Sequence, residues 1–280
     1  MADMTKANPV IGTTILHSVA SGIARITLNR PDVANAILPE QRNAIIELLA
    51  AADGDPEVRV VVLAATGKIF CSGADVSTLS AGKPGADGKA ATMRAGDGMQ
   101  RLMKGAQRLI TSVLDCSKPV ICAVQGTAAG MGAHLAYAAD LVVASEAASF
   151  IEAFVLRGLA VDAGGAYLLA RRIGLQKAKE LVFFGDRLSA RDAAALGLVN
   201  KVVAADELET AVTELASRLA AAPTLAISLS KRLLNRSLEG DRAGALLEEA
   251  MAQEIGSRSA DSQEGIKAFI ERRPPLFKGY

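Results

Sequence analysis

The sequence predicts a mixed α/β protein, a core of short buried strands and helices followed by a helical tail. Three observations carry that prediction. Apolar β-rich runs crowd the first half, helical periodicity takes over later, and the order strand, glycine turn, helix occurs twice. The core is expected over residues 1–204 and the helical region over 205–280.

Taken in order, Thr13 to Ser18 and Ile23 to Leu28 read as strands, and Asn29-Arg30-Pro31-Asp32 ends the second with a turn signal, so a β-hairpin is the expected start. Pro39 opens a helix with Ile45, Leu48, Leu49 and Ala52 on one face, and Gly54-Asp55-Pro56 stops it. Val58 to Ala65 is apolar except for Arg59 and reads as a buried strand. Ser80 to Gly98 is glycine-rich without apolar periodicity, which predicts a mobile loop able to act as a lid. A helix is expected over Met99 to Leu114, a break at Lys118-Pro119, and a second buried strand over Val120 to Val124. Asp140 to Ala144 is a further strand candidate, with helices near Gly165 to Arg172, Leu175 to Phe184 and Ser189 to Leu196. From about Ala205 to Ile270 the pattern is helical, broken at Pro223 and Gly240, and Asp261 and Glu264 are spaced as a capping box for the last helix. No internal repeat is visible.

Composition narrows the function classes. A chain of 280 residues, 50% of them apolar, can bury a sizeable core. With 31 basic and 30 acidic residues it carries no footprint for nucleic acid or an anionic membrane, and with no Trp it lacks stacking platforms. Cys71, Cys116 and Cys122 are odd in number and lack metal-ligand spacing, which suggests reduced thiols and no metal. No apolar run approaches the ~20 residues of a membrane span, and the first residues lack the order of a signal peptide. A cytoplasmic location is the expectation.

The two glycine turns, Phe70-Cys71-Ser72-Gly73-Ala74-Asp75 and the run from Gly126 through Gly130-Met131-Gly132-Ala133-His134, can each present a bare backbone N–H. Two converging amides stabilise negative charge developing on a carbonyl oxygen. Such chemistry needs a base, and Asp162, within Gly158-Leu159-Ala160-Val161-Asp162-Ala163-Gly164-Gly165, is the leading candidate. The same aspartate precedes a predicted helix and would serve equally as its N-cap. Glu152, two residues before Phe154, could reach the pocket if that stretch is extended, because alternate residues share a face, although a surface ion pair is the leading expectation; Glu146 reads as an exposed turn residue. The glycines are not in the dinucleotide-binding order, and His17 and His134 have no evident nucleophile partner for a hydrolase.

Together, Leu28-Asn29-Arg30-Pro31, Ser72-Gly73-Ala74-Asp75, Gly126-x-x-x-Gly130-x-Gly132, Asp140-Leu141-Val142-Val143-Ala144 and Gly185-Asp186-Arg187-Leu188-Ser189-Ala190 stand in an order that resembles the enoyl-CoA hydratase/isomerase (crotonase) superfamily along nearly the whole chain. The resemblance implies a spiral of ββα units, a C-terminal region that builds trimers or hexamers, and acyl-CoA thioester chemistry in which coenzyme A enters with the substrate and no separate cofactor is used. It places the oxyanion hole on the N–H groups of Ala74 and Met131. It places the adenine and pantetheine of coenzyme A beside Ala65, the stretch Cys71, Ser72, Gly73, Asp75 and Val76, and the turn from Gly126 to Gly130, with Lys68, Arg30 or a neighbouring subunit's Lys278 as candidate cations, and it makes Asp75 a support of its turn. The acyl pocket falls on Leu79, Met99, Met103, Phe154 and Leu159.

Where hydratases of the family carry two glutamates, this chain has His134 and Phe154. Phe154 cannot transfer protons; His134 can, or can sit beside the pocket with its nitrogens satisfied. Asp162 stands where dienoyl-CoA isomerases and the ring-epoxide isomerases of phenylacetyl-CoA breakdown carry a functional aspartate. The resemblance therefore favours a double-bond shift by Asp162 with His134 assisting. The alternatives are hydration of a 2-enoyl-CoA, nucleophilic attack by Asp162 as in the related dehalogenases, and a noncatalytic acyl-CoA binder.

Overall fold

The structure, a computed structural model, describes residues 10–75 and 94–280. Val76, Leu79 and most of the expected lid lie outside them. The chain opens with the expected hairpin: β1 (Ile15–Ala20) pairs antiparallel with β2 (Ile23–Leu28) around Ser21 and Gly22. Pro39 then starts α1 (Pro39–Gly54), where its missing N–H costs nothing, and the Gln41 side chain accepts from the Leu38 N–H.

β3 (Val60–Ala65), β4 (Val120–Val124), β6 (Leu141–Ser145) and β9 (Lys201–Val203) extend the hairpin into a six-stranded sheet of order β1-β2-β3-β4-β6-β9, parallel from β2 onward. A second sheet joins β5 (Thr127–Ala129), β7 (Ser149–Ile151) and β8 (Arg187–Ser189) in the order β5-β7-β8. Both faces of the large sheet are covered, which is why its strands read as continuous apolar runs. Ile26, Val61, Cys122 and Val142 face one cluster with α1 and α4 (Met131–Ala138). Val60, Val62, Ile121 and Val143 face the other, packed under Leu208, Val212 and Ala216 of α7 (Leu208–Ala220).

The helix expected over Met99 to Leu114 is continuous but not regular: α2 (Asp97–Leu102) runs into a π-turn over Met103–Gln107 and then α3 (Arg108–Leu114). The two helices expected after Gly165 join as α5 (Gly165–Phe184), kinked at Gly174. Ser189 caps α6 (Ala190–Ala195), and α8 (Thr224–Arg236), α9 (Arg242–Ser257) and α10 (Ala260–Glu271) complete the tail. The expected capping box does not form. Ser259 caps α10 by accepting from the Ser262 N–H, while Asp261 accepts from the N–H groups of Lys278 and Gly279, and Glu264 pairs with Arg273. Lys231 of α8 is buried against Asp140 at 2.7 Å and fastens the tail to the core. Among the described residues no helix is long and apolar enough to cross a membrane.

Candidate active site

The two glycine turns meet directly. The Ala129 N–H donates to the Cys71 carbonyl at 2.8 Å and the Cys71 N–H to Thr127 O at 3.2 Å, so the segment after β3 lies along β5. This contact leaves no room for side chains: a Cβ on Gly126 would stand 1.9 Å from Lys68 O, and one on Gly73 would stand 3.0 Å from Ala129 O. Gly73 also needs its φ of +102°. A Cβ on Gly73 would lie 3.6 Å from the Met131 nitrogen, which sets Ala74 and Met131 in one small region.

Neither the Ala74 nor the Met131 amide donates a hydrogen bond within the described residues. Met131 opens α4, where the first N–H groups have no intrahelical acceptor. Around Ala74 the neighbours are tied down: the Ile37 N–H donates to Gly73 O and the Asp75 N–H to Ile37 O. The buried Asn35 amide donates to Thr66 O and Ile69 O, and Gln125 Nε2 donates to Ala65 O, fixing the start of the turn. Arg30, a candidate cation for the ligand, is occupied here. It pairs with Asp75 at 3.2 Å and donates to Ala36 O, so it braces the turn, as does Asp75.

His134 sits one turn into α4 and is wholly buried. Its Nε2 lies 2.9 Å from Glu152 Oε2, its ring stacks on Phe154 with centroids 5.4 Å apart, and Phe154 also touches the space above Gly130. Glu152 is 3% exposed, so the leading expectation of a surface ion pair is corrected and the other one, that it reaches the pocket, agrees with the structure. Its place as an acidic residue between Phe150-Ile151 and Ala153-Phe154, inside an otherwise apolar run, is a further signal of burial. His134 Nδ1 and Glu152 Oε1 are buried with no partner among the described residues, so within them His134 is not the fully satisfied residue that was one expectation.

Asp162 lies beside this pair. Gly165, whose N–H donates to Asp162 O, approaches the His134 ring so closely that a Cβ would fall 2.2 Å from Cε1. Burial raises the Asp162 carboxyl above its ordinary value, and the His134 charge opposes that rise. The capping role does not hold: α5 begins at Gly165, its N-cap is Gly164, and no side chain caps it. The turn is strained instead, with Ala163 at φ +45°. Burial pushes the Cys71 thiol up to about 12, which removes it as a nucleophile at neutral pH.

Of the expected acyl-pocket residues, Phe154 packs on His134, whereas Met99, Met103 and Leu159 are exposed. Ser72 and Lys68 are exposed near the first turn. A separate groove of about 480 Å³, lined among others by Asp140, Arg172, Ile227 and Lys231, opens beside α8; none of the candidate site residues lines it.

The spiral core, the abutting glycine turns and the helical tail define a crotonase fold. A solved enoyl-CoA hydratase/isomerase from Cupriavidus metallidurans superposes with a TM-score of 0.86 at 34% identity, covering 95% of this chain and 97% of that one. The family model described as enoyl-CoA hydratase/isomerase matches residues 18–280, and the chain belongs to that family. A Rhodobacter capsulatus protein named a probable enoyl-CoA hydratase is 36% identical, with 95% of this chain and 98% of that one aligned. The 1,2-epoxyphenylacetyl-CoA isomerase of Escherichia coli is 34% identical over the same shares.

Proposed function

We propose that this protein shifts a double bond in an acyl-CoA thioester by proton transfer. The observation that carries the reading is the set of side chains around the two amides: Phe154 covers His134, and Asp162 is the half-buried carboxylate next to that ring. The thioester carbonyl accepts from the Ala74 and Met131 N–H groups, which stabilise the enolate. Donors of this kind contribute about 2.7–4 kcal/mol each. Asp162 takes a proton from one carbon, and a proton is returned to another with His134 assisting. Coenzyme A arrives with the substrate and no further cofactor or metal takes part; Ala65, Cys71 to Asp75 and Gly130 lie along its adenine and pantetheine, and Phe154 and Leu159 line the acyl pocket.

Water addition to a 2-enoyl-CoA is the second reading, favoured by the nearness of two proton carriers, Asp162 and His134. Incubating the protein with 2-enoyl-CoA and 3-enoyl-CoA esters, aromatic ones included, in deuterated water separates the two by mass. An isomer of unchanged hydration supports the double-bond shift. Gain of one water overturns it, and tight binding without turnover leaves a noncatalytic binder.

We also propose self-association through the tail into a trimer or a pair of trimers. Leu234, Leu247, Met251, Ile255, Phe269 and Ile270 are all exposed in the single chain, and a surface this apolar needs a cover. The free, buried cysteines support action in the cytoplasm.

A further inference from the structure

We infer that Glu152 is a positioning residue, which holds His134 in the tautomer protonated on Nε2 and so makes Nδ1 the atom through which His134 exchanges protons with the acyl group. The inference deepens the double-bond-shift reading and rests on its placing His134 at the acyl group.

Glu152 Oε2 stands 2.9 Å from His134 Nε2 with both side chains buried. A carboxylate only accepts, so the ring nitrogen facing it must carry the hydrogen. That assigns the Nε2 proton and leaves Nδ1 as the one ring nitrogen free to take or give another. Nδ1 is buried with no partner in the described residues, a costly arrangement unless a ligand or water completes it. The ring has little freedom to turn away from Glu152: Phe154 stacks on one face at an interplanar angle of 12°, and Gly165 crowds the edge that carries Cε1 and Nε2. His134 also follows Met131 on the same turn of α4, so its backbone is fixed relative to the amide that opens the helix.

The consequence for the reaction balances. Asp162 takes a proton as the substrate C–H bond breaks, and the electron pair moves onto the thioester oxygen. Nδ1 of the neutral His134 ring takes that proton from Asp162, which returns to the carboxylate. The enolate then forms a new C–H bond with the proton on Nδ1, leaving His134 neutral again. Throughout, the hydrogen on Nε2 stays directed at Glu152, whose negative charge offsets the transient imidazolium.

The test is nitrogen NMR of protein labelled with ¹⁵N-histidine. The chain has two histidines, and His17 is exposed on β1, so His17→Asn leaves one ring in the spectrum and activity unchanged. The expected spectrum of the neutral ring shows His134 protonated on Nε2 and bare on Nδ1, with the Nδ1 resonance moving when a saturated acyl-CoA binds. A neutral ring with its hydrogen on Nδ1, or an Nδ1 signal indifferent to the ligand, overturns the inference. Glu152→Ala should mix the tautomers and lower turnover about 100-fold with saturated acyl-CoA still bound; Glu152→Gln, which keeps an acceptor, should restore the tautomer. Full turnover in Glu152→Ala overturns it. If the unaltered protein turns over none of the enoyl-CoA esters, the double-bond-shift reading falls, while the tautomer and its response to the saturated ester still decide the role of Glu152.

Discussion

A Cβ added to Gly132 would stand 2.4 Å from the carbonyl oxygen of Cys71. The two turns that frame the site therefore touch backbone to backbone, and their glycines are needed for contact between segments that are far apart in sequence.

Gly126→Ala tests that contact. The added carbon would stand 1.9 Å from Lys68 O, and neither backbone can retreat without breaking the bonds between Cys71 and β5. We expect a loss of about 3 kcal/mol or more, or failure to fold, read from urea denaturation. Ordinary stability would mean that the turns are not pressed together.

Asp162→Asn removes the proposed base with almost no change of volume. Turnover of enoyl-CoA esters should fall by about 100-fold or more, with binding of saturated esters retained. Turnover within a few-fold of the parent would exclude Asp162 as the proton acceptor.

The pH dependence has a definite sign. The working form of Asp162 is the carboxylate, and burial raises its carboxyl above the ordinary 3.8, so the acid limb of kcat/KM should lie above that value. Because the folded chain holds this proton more tightly than the unfolded chain, ionising Asp162 costs stability. The cost is absent below the ordinary value and grows as pH rises through the raised one. The Tm of Asp162→Asn should therefore match or exceed that of the parent at neutral pH, and the advantage should vanish in acid.

Lys231→Ala leaves Asp140 buried without its charged partner. Burial already raises the Asp140 carboxyl, and Lys231 is the largest influence opposing that rise. The expected destabilisation is about 3–5 kcal/mol by urea denaturation, and Asp140→Asn in the same chain should recover part of it.

Much of the scaffold is legible in the sequence where one strong signal acts alone. Pro39 and the Gly54-Asp55-Pro56 stop mark α1 at both ends, and the apolar runs that become β2 and β4 match their strands from first residue to last. The strands β5, β7 and β8 are three residues each, too short to show alternation, and take their conformation from pairing with one another. Asp261 misleads because Ser259, two positions earlier, takes the cap and frees the carboxylate for the backbone N–H groups of Lys278 and Gly279 at the end of the chain.

The site is legible only in part, for a related reason. Ala74, Met131 and His134 are named through the family resemblance laid over the glycine turns, and Asp162 through its place after Gly158. Glu152 is marked only by its alternation with Phe154, because its pairing depends on His134, which reaches it from another element. A carboxylate after a short strand looks like a solvated one until the fold closes over it.

The π-turn over Met103–Gln107 has a consequence for insertions and deletions. A π-turn takes up one residue more than an α-helix would over the same rise, and each residue of an α-helix turns the chain by about 100°. Losing a residue such as Lys104 would let the stretch close as a regular helix with Leu109, Ile110 and Val113 still directed at the core and Met99 still on its present side. Winding the same number of residues as plain α-helix would instead swing the segment before Met103 by about 100°. This helix can therefore change length by one residue and keep its facing, a freedom that regular helices packed on a core do not have.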